Sequence, residues 1–206
     1  MLLGDEARLT RDHALRRKVT SLGRRAPSVV RIIAGSRKGS RIFAPKGDTR
    51  PTGDRVREAA FNLIGPVDDM VVLDLFAGSG AMGLEALSRG AASVVFVETD
   101  RDAQRVIERN LEKLDLKGAR LVKMDARRAL AAESAAGRRY DLVLVDPPYR
   151  MLDSLLPTLS NYLPTLLADD GLVVVESAAK EQPTLPLAER TSRKYGSVRV
   201  TLFEAE

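Results

Sequence analysis

The stretch LDLFAGSGAMGLEAL, residues 73–87, decides the fold. An apolar strand, VVLDL, runs into Gly78, Gly80 and Gly83 in the order G-x-G-x-x-G, and the spacing predicts a helix ended by Gly90. Glycines let the backbone approach a ligand closely, and the first turn of a helix offers unpaired N–H groups at the positive end of its dipole. Outward from this loop, the next strand, SVVFVE, ends on Glu98, 20 residues after Gly78. A carboxylate at that interval meets the ribose hydroxyls of a nucleotide-like ligand. A third strand, ARLVKM, is followed by Asp125, which can cap the next helix or join the ligand site. Asp74, Glu98 and Asp125 at successive strand ends would line one crevice outside the sheet.

The alternation continues. After the amphipathic segment RDAQRVIERNLEKLDL come a short helix from Ala126 to about Glu133, the strand YDLVLV, a helix MLDSLLPTLSNYL containing Pro157, and the strand GLVVVES. Apolar strands alternating with helices predict a parallel sheet covered on both faces, and right-handed crossovers make it doubly wound. The tail, TSRKYGSVRVTLFEA, lacks a helix between its two extended stretches and reads as a hairpin about Tyr195-Gly196-Ser197. The expected fold is α/β: a mostly parallel, Rossmann-like seven-stranded sheet with an antiparallel C-terminal edge. Ahead of it, VVRIIAGSRKGSRIFAP reads as a small β-hairpin with a basic loop. In GDTRPTGDRVREAAFNLIG, Thr52 or Asp54 is placed to cap a helix with Val56, Ala59, Ala60, Leu63 and Ile64 inward and Arg55, Arg57 and Glu58 on the other face.

At the end of the fourth strand stands Asp146-Pro147-Pro148-Tyr149, on the same rim as the glycine loop. Prolines cannot continue the ladder, and each holds its predecessor extended, so the corner is stiff. Stiffness serves to aim acceptors. The Asp146 carboxylate and a neighbouring carbonyl can take both hydrogens of an exocyclic amine, while Tyr149 stacks on the base. Two cofactors suit the crevice, a dinucleotide such as NAD or S-adenosyl-L-methionine. Asp74 beside the loop would repel a pyrophosphate and attract a sulfonium or ammonium, which favours the second.

Composition narrows the chemistry. Cysteine is absent and His13 is the only histidine, which removes disulfides, thiolate metal sites, cysteine nucleophiles and histidine-based triads; no metal is expected. Without cysteine, transfer to carbon 5 of a pyrimidine is excluded as well. No apolar run approaches a membrane span, and the first residues mix acids with arginines around no continuous apolar centre, so a cytoplasmic location is expected. Charge is uneven: residues 1–50 hold 13 Lys and Arg against 4 Asp and Glu, in a chain whose net charge is +5. A basic front on a mildly acidic body favours a polyanion as partner.

The segments LDLFAGSGAMGLEALSRGA, FVETD and VLVDPPY resemble the cofactor and catalytic motifs of class I S-adenosylmethionine-dependent methyltransferases of the amino-group type. With RIIAGSRKGSRI, TRPTGDRVREAAFNLIG and YGSVRVTLFE, the chain is similar over residues 30–206 to the RsmD-type family, which methylates N2 of a guanine in small-subunit (16S) ribosomal RNA. The resemblance implies cofactor contacts from Asp74, Phe76, Gly78, Gly80 and Glu98, an adenine contact from Asp125, and catalysis at Asp146, Pro147, Pro148 and Tyr149. It also implies that Thr52, Arg55 and Arg57 lie near the crevice, toward cofactor or RNA. Arg37, Lys38 and Arg41 in the basic loop are further candidates for RNA. The implied organisation is a basic flexible extension at 1–28, a basic hairpin appendage at 29–50 and the methyltransferase domain at 51–206, acting as a monomer on ribosomal RNA or an assembling subunit. Members of the family usually begin near RIIAG; residues 1–28 have no counterpart among its motifs. The rival readings are an N6-adenine DNA or RNA methyltransferase, which shares the proline corner but needs a target-reading segment, and a non-catalytic RNA-binding assembly factor, which would not need Asp146.

Overall fold

The computed structural model describes residues 30–45 and 53–205. The extension expected at 1–28, residues 46–50 of the hairpin region and Thr52, whether as cap or contact, lie outside the described residues.

Two short strands, β1 (Val30–Arg31) and β2 (Arg41–Ile42), pair antiparallel as the expected hairpin. Helix α1 (Asp54–Ile64) follows, and then the alternating body: β3 (Val71–Asp74), α2 (Ala81–Ser88), β4 (Ser93–Val97), α3 (Arg101–Leu114), β5 (Ala119–Val122), α4 (Ala126–Ala135), β6 (Tyr140–Val145), α5 (Leu152–Leu166), β7 (Leu167–Ala178), β8 (Ala188–Tyr195) and β9 (Val198–Glu204). The seven-stranded sheet has the order β5-β4-β3-β6-β7-β9-β8. Strands β3 to β7 are mutually parallel, and β9 runs antiparallel between β7 and β8, so the terminal hairpin closes the sheet as expected.

Successive residues in the central strands serve opposite layers. Val72, Val94 and Leu142 point into a core shared with the hairpin, α1, α2 and α3, whereas Leu73, Val95 and Val143 point into one shared with α4 and α5. That two-sided burial is why these strands read as unbroken apolar runs. The chain leaves β3 toward β4 and β5, then returns to place β6 on the other side of β3. The switch point therefore lies between β3 and β6, and their carboxyl ends carry Asp74 and Asp146.

Three local expectations are corrected. Asp54 does not cap α1: Gly53 holds that position, and Asp54, the first helical residue, accepts from Arg57 at 2.9 Å and Arg31 at 3.2 Å. Arg57 is not on an exposed face with Arg55 and Glu58; it is 0% exposed and shares the inward stripe of Ala60, Phe61 and Ile64. Strand β7 begins at Leu167 rather than Gly171, since α5 extends to Leu166 and the pairing with β6 restarts after an irregularity between Tyr140 and Leu142. Among the described residues no helix is long and apolar enough to cross a membrane.

Candidate active site

The glycine loop is built by a division of labour among its residues. Gly83 is where α2 meets the sheet: a Cβ there would lie 2.3 Å from Phe96 and 2.8 Å from Val94. Gly78 has a positive φ of 53°, and a Cβ there would meet nothing closer than the Phe76 carbonyl at 4.0 Å, so its outer surface is open to a ligand. Gly80, at φ 81°, is the N-cap of α2 and has no side chain with which to satisfy the first N–H groups. Asp74 supplies the missing acceptor from the preceding strand, its Oδ2 taking the Gly83 N–H at 3.0 Å. Helix α2 is capped by the strand that feeds it.

Asp74 is only 3% exposed, and its carboxyl is pushed up to about 7. Burial is the main cause; the Gly83 amide opposes it, and the neighbouring Asp146 and Glu98 carboxylates raise it further. The pairing of β3 with β4 on one side and β6 on the other puts these strand ends side by side. Glu98 sits just beyond β4 and is held by three amides: Oε2 accepts from Gly78 at 2.8 Å, and Oε1 from Thr99 at 2.7 Å and Asp100 at 2.8 Å. Phe76, half-buried, packs on the α4–α5 side of the core. Asp125 caps α4 through the Arg127 N–H at 2.9 Å, one of the two roles its position allows. At the corner, Asp146 is half-exposed, Pro147 is buried and Pro148 is exposed. Tyr149 opens a single 3-10 turn, Tyr149–Met151, pinned by the Met151 N–H on the Pro148 carbonyl at 2.7 Å.

The residues present fit S-adenosylmethionine better than a dinucleotide. A buried carboxylate pressed by two other acids calls for a cation, and it occupies the helix terminus where a pyrophosphate would sit. Gly78 leaves room for a close backbone approach, and Glu98, the residue that would meet a ribose, is fixed by the Gly78 amide. Among the described residues no group of three or more His, Cys, Asp or Glu side chains is placed to hold a metal ion.

The basic candidates divide. Lys38, Arg41 and Arg55 are exposed. Arg37 is turned onto the protein: its guanidinium caps the end of α3 through the Leu114 carbonyl and, at 3.2 Å, the Asp115 carbonyl. Arg57 donates to the Arg31 carbonyl and to Asp54. It therefore faces the hairpin from within the core.

Three buried polar residues have no place among the sequence-based candidates. Glu85 of α2, 0% exposed, accepts the Ile33 N–H at 2.7 Å, the Ala34 N–H at 2.9 Å and Arg89 Nε at 2.8 Å, with Arg57 Nε at 3.9 Å. Ser88, one turn on, accepts from the Arg37 N–H at 3.0 Å and donates to the Ala34 carbonyl at 2.6 Å. Asn110 of α3, also 0% exposed, bonds the Phe43 backbone and the Ser79 carbonyl. Both Glu85 and Asn110 were detectable as polar residues inside apolar stripes: Glu85 in GLEAL, Asn110 in line with Ala103, Ile107 and Leu114.

The profile of a family described as conserved hypothetical protein 95 matches residues 30–204. The ribosomal RNA small subunit methyltransferase D of Escherichia coli K12 is 40% identical over 184 residues, 86% of this chain and 90% of the relative. A hypothetical protein of Thermus thermophilus superposes with a TM-score of 0.75 at 36% identity, covering 86% of this chain and 100% of that one. An RNA methyltransferase of Salinibacter ruber, solved with S-adenosyl-L-homocysteine, shares the fold at a TM-score of 0.58 and 19% identity, over 75% of this chain and 93% of that one. The chain thus belongs to the RsmD-type family of class I methyltransferases, which its motifs resemble.

Proposed function

We propose that the protein methylates the exocyclic N2 amine of one guanine in 16S ribosomal RNA. Its cofactor is S-adenosylmethionine, and methylation of small-subunit ribosomal RNA is the activity its family membership supports. The choice of a purine amine rests on the proline corner. One observation supports the reading: β3 and β6 are parallel neighbours with Asp74 opposite Leu144, so Asp74 under the glycine turn and Asp146 on the corner lie at the carboxyl ends of adjacent strands. A cofactor over Gly78 and a base at Asp146 therefore share one crevice.

When bound, S-adenosylmethionine supplies a methyl group on a positively charged sulfur. Asp74 would face that charge or the adjoining ammonium, Glu98 would take the ribose hydroxyls, and Asp125 would contact the adenine. Asp146 and a backbone carbonyl of the corner accept the two hydrogens of the amine. A nucleobase amine is a poor nucleophile because its lone pair is delocalised into the ring. Acceptors that align better as the nitrogen pyramidalises stabilise the transition state more than the ground state. The carboxylate then takes the proton that the nitrogen sheds. Tyr149 is assigned, from the sequence, to stack on the extruded guanine. Lys38, Arg41 and Arg55 supply exposed charge for phosphates; the basic extension at 1–28, the hairpin appendage at 29–50 and the methyltransferase domain at 51–206 are proposed as the units of the chain, the extension adding further charge for RNA. The protein is proposed to act as a cytoplasmic monomer, without a metal, on ribosomal RNA or an assembling subunit.

The test is Asp146→Ala. It should lower kcat by about 10²–10³-fold or more while S-adenosylhomocysteine binds within about threefold of wild type. Transfer retained in this variant would remove Asp146 from the mechanism, and modification mapped elsewhere than a guanine N2 would refute the target. Deleting residues 1–28 should weaken RNA binding and flatten its dependence on salt; an unchanged slope would show that the arm is merely solvated.

A further inference from the structure

Asn110 joins two segments that the functional reading uses separately. Its Oδ1 accepts the Phe43 N–H at 2.8 Å, and its Nδ2 donates to the Phe43 carbonyl and the Ser79 carbonyl, each at 3.0 Å. Both amide hydrogens are spent, and the contact with Phe43 is the two-bond exchange a neighbouring strand would make. Ser79 lies between Gly78 and Gly80, and the same peptide is held at its other end by the Gly80 N–H on the Ala77 carbonyl at 2.6 Å. That peptide plane, on which the conformation of the glycine turn depends, is thus clamped from two sides. Phe43 directly follows β2 at the end of the hairpin. On the solvent side of the same turn, Arg109 lies 3.6 Å and Lys113 4.7 Å from the centroid of the Phe43 ring, and Lys113 Nζ also bonds the Arg41 carbonyl at 2.6 Å. Packing alone would be served at position 110 by an apolar residue, as at Ala103, Ile107 and Leu114.

We infer that Asn110 is a positioning residue that couples the cofactor loop to the basic hairpin, so that cofactor and RNA bind with positive cooperativity. This rests on the functional reading above. A cofactor that contacts the Ser79 peptide further restrains Asn110, and through it the Phe43 backbone and the cations stacked there. RNA that meets the hairpin then finds it already set, and by linkage the effect is reciprocal.

The experiment uses the full chain, S-adenosylhomocysteine and a fragment of small-subunit ribosomal RNA that the wild type methylates. In wild type, S-adenosylhomocysteine should slow amide hydrogen exchange across 77–81 and across 41–45 together, and tighten RNA about fivefold or more. In Asn110→Ala the gain in RNA affinity should fall to near one and the response should be confined to 77–81. An equal gain in the variant, or a wild-type 41–45 segment indifferent to the cofactor, overturns the coupling. Should the variant not fold, the wild-type exchange measurement decides. Failure of S-adenosylhomocysteine to bind at all would refute the functional reading with it, whereas binding without a response at 41–45 refutes the coupling alone.

Discussion

Two carboxylates, one capping helix α2 and one within it, are both removed from water: Asp74 at the crevice is 3% exposed and Glu85 beneath the hairpin 0%. Their surroundings are opposite. Glu85 has an arginine at 2.8 Å, a second at 3.9 Å and two backbone amides, so its charge is answered within the protein. Asp74 has the Gly83 and Phe76 amides but is pressed by two further acids, and its carboxyl rises to about 7. The first arrangement belongs to a structural joint. The second leaves a buried carboxyl among other acids, as expected of the group proposed above to face the cofactor's cation.

The contrast can be broken most forcefully at Glu85. Glu85→Ala leaves Arg57 and Arg89 facing a cavity and two amides without an acceptor, and should cost about 3–5 kcal/mol in urea unfolding. A loss below about 1 kcal/mol would mean that the joint is not held by this charge. Asp74→Asn should act the other way. The Asn carbonyl still accepts the Gly83 N–H, yet cofactor affinity should fall about tenfold or more by calorimetry, because the charge proposed to face the cofactor's sulfonium or ammonium is gone. Unchanged affinity would remove Asp74 from the site.

The same group predicts two pH effects. The folded-state pKa lies above the unfolded value of 3.8, so Asp74's contribution to stability is complete below about 4 and is lost as pH rises through 7. The unliganded wild type should therefore lose up to about 4 kcal/mol between pH 4 and pH 8 through this residue, and Asp74→Asn should not. The smallest effect concerns binding. A cation favours the ionised carboxylate, so affinity for S-adenosylmethionine should rise several-fold from about pH 6 to about pH 8 and level off above. Proton release should appear as a dependence of the binding enthalpy on the buffer. A flat profile would show that Asp74 is already ionised.

Much of this site was legible because its signals are local. Gly78, Gly80, Gly83 and the acid 20 residues on follow the strand–turn–helix order, and the proline corner announces itself by breaking an apolar strand. What was missed depends on partners remote in sequence. Glu85 meets Ile33 across 52 residues and Asn110 meets Phe43 across 67, distances over which no periodicity carries information. Arg57 shows a different failure. Its position at i−4 from Phe61 and i−7 from Ile64 places it on the inward stripe, but its charge suggested the surface. Asp54 was misread as a cap because Gly53, a weaker capping residue, holds that place.

The antiparallel position of β9 leaves β8 as one open margin of the sheet, and an unpaired row of amides and carbonyls there would invite another chain to lengthen it. Along this margin Glu189, Arg190, Arg193 and Lys194 are exposed, and Arg120 and Lys123 flank the opposite margin at β5. Any strand docking at either side must strip water from cations before it gains a ladder of hydrogen bonds. Both borders are in this way guarded against fibril-like growth by the same residue types that suit a polyanionic substrate.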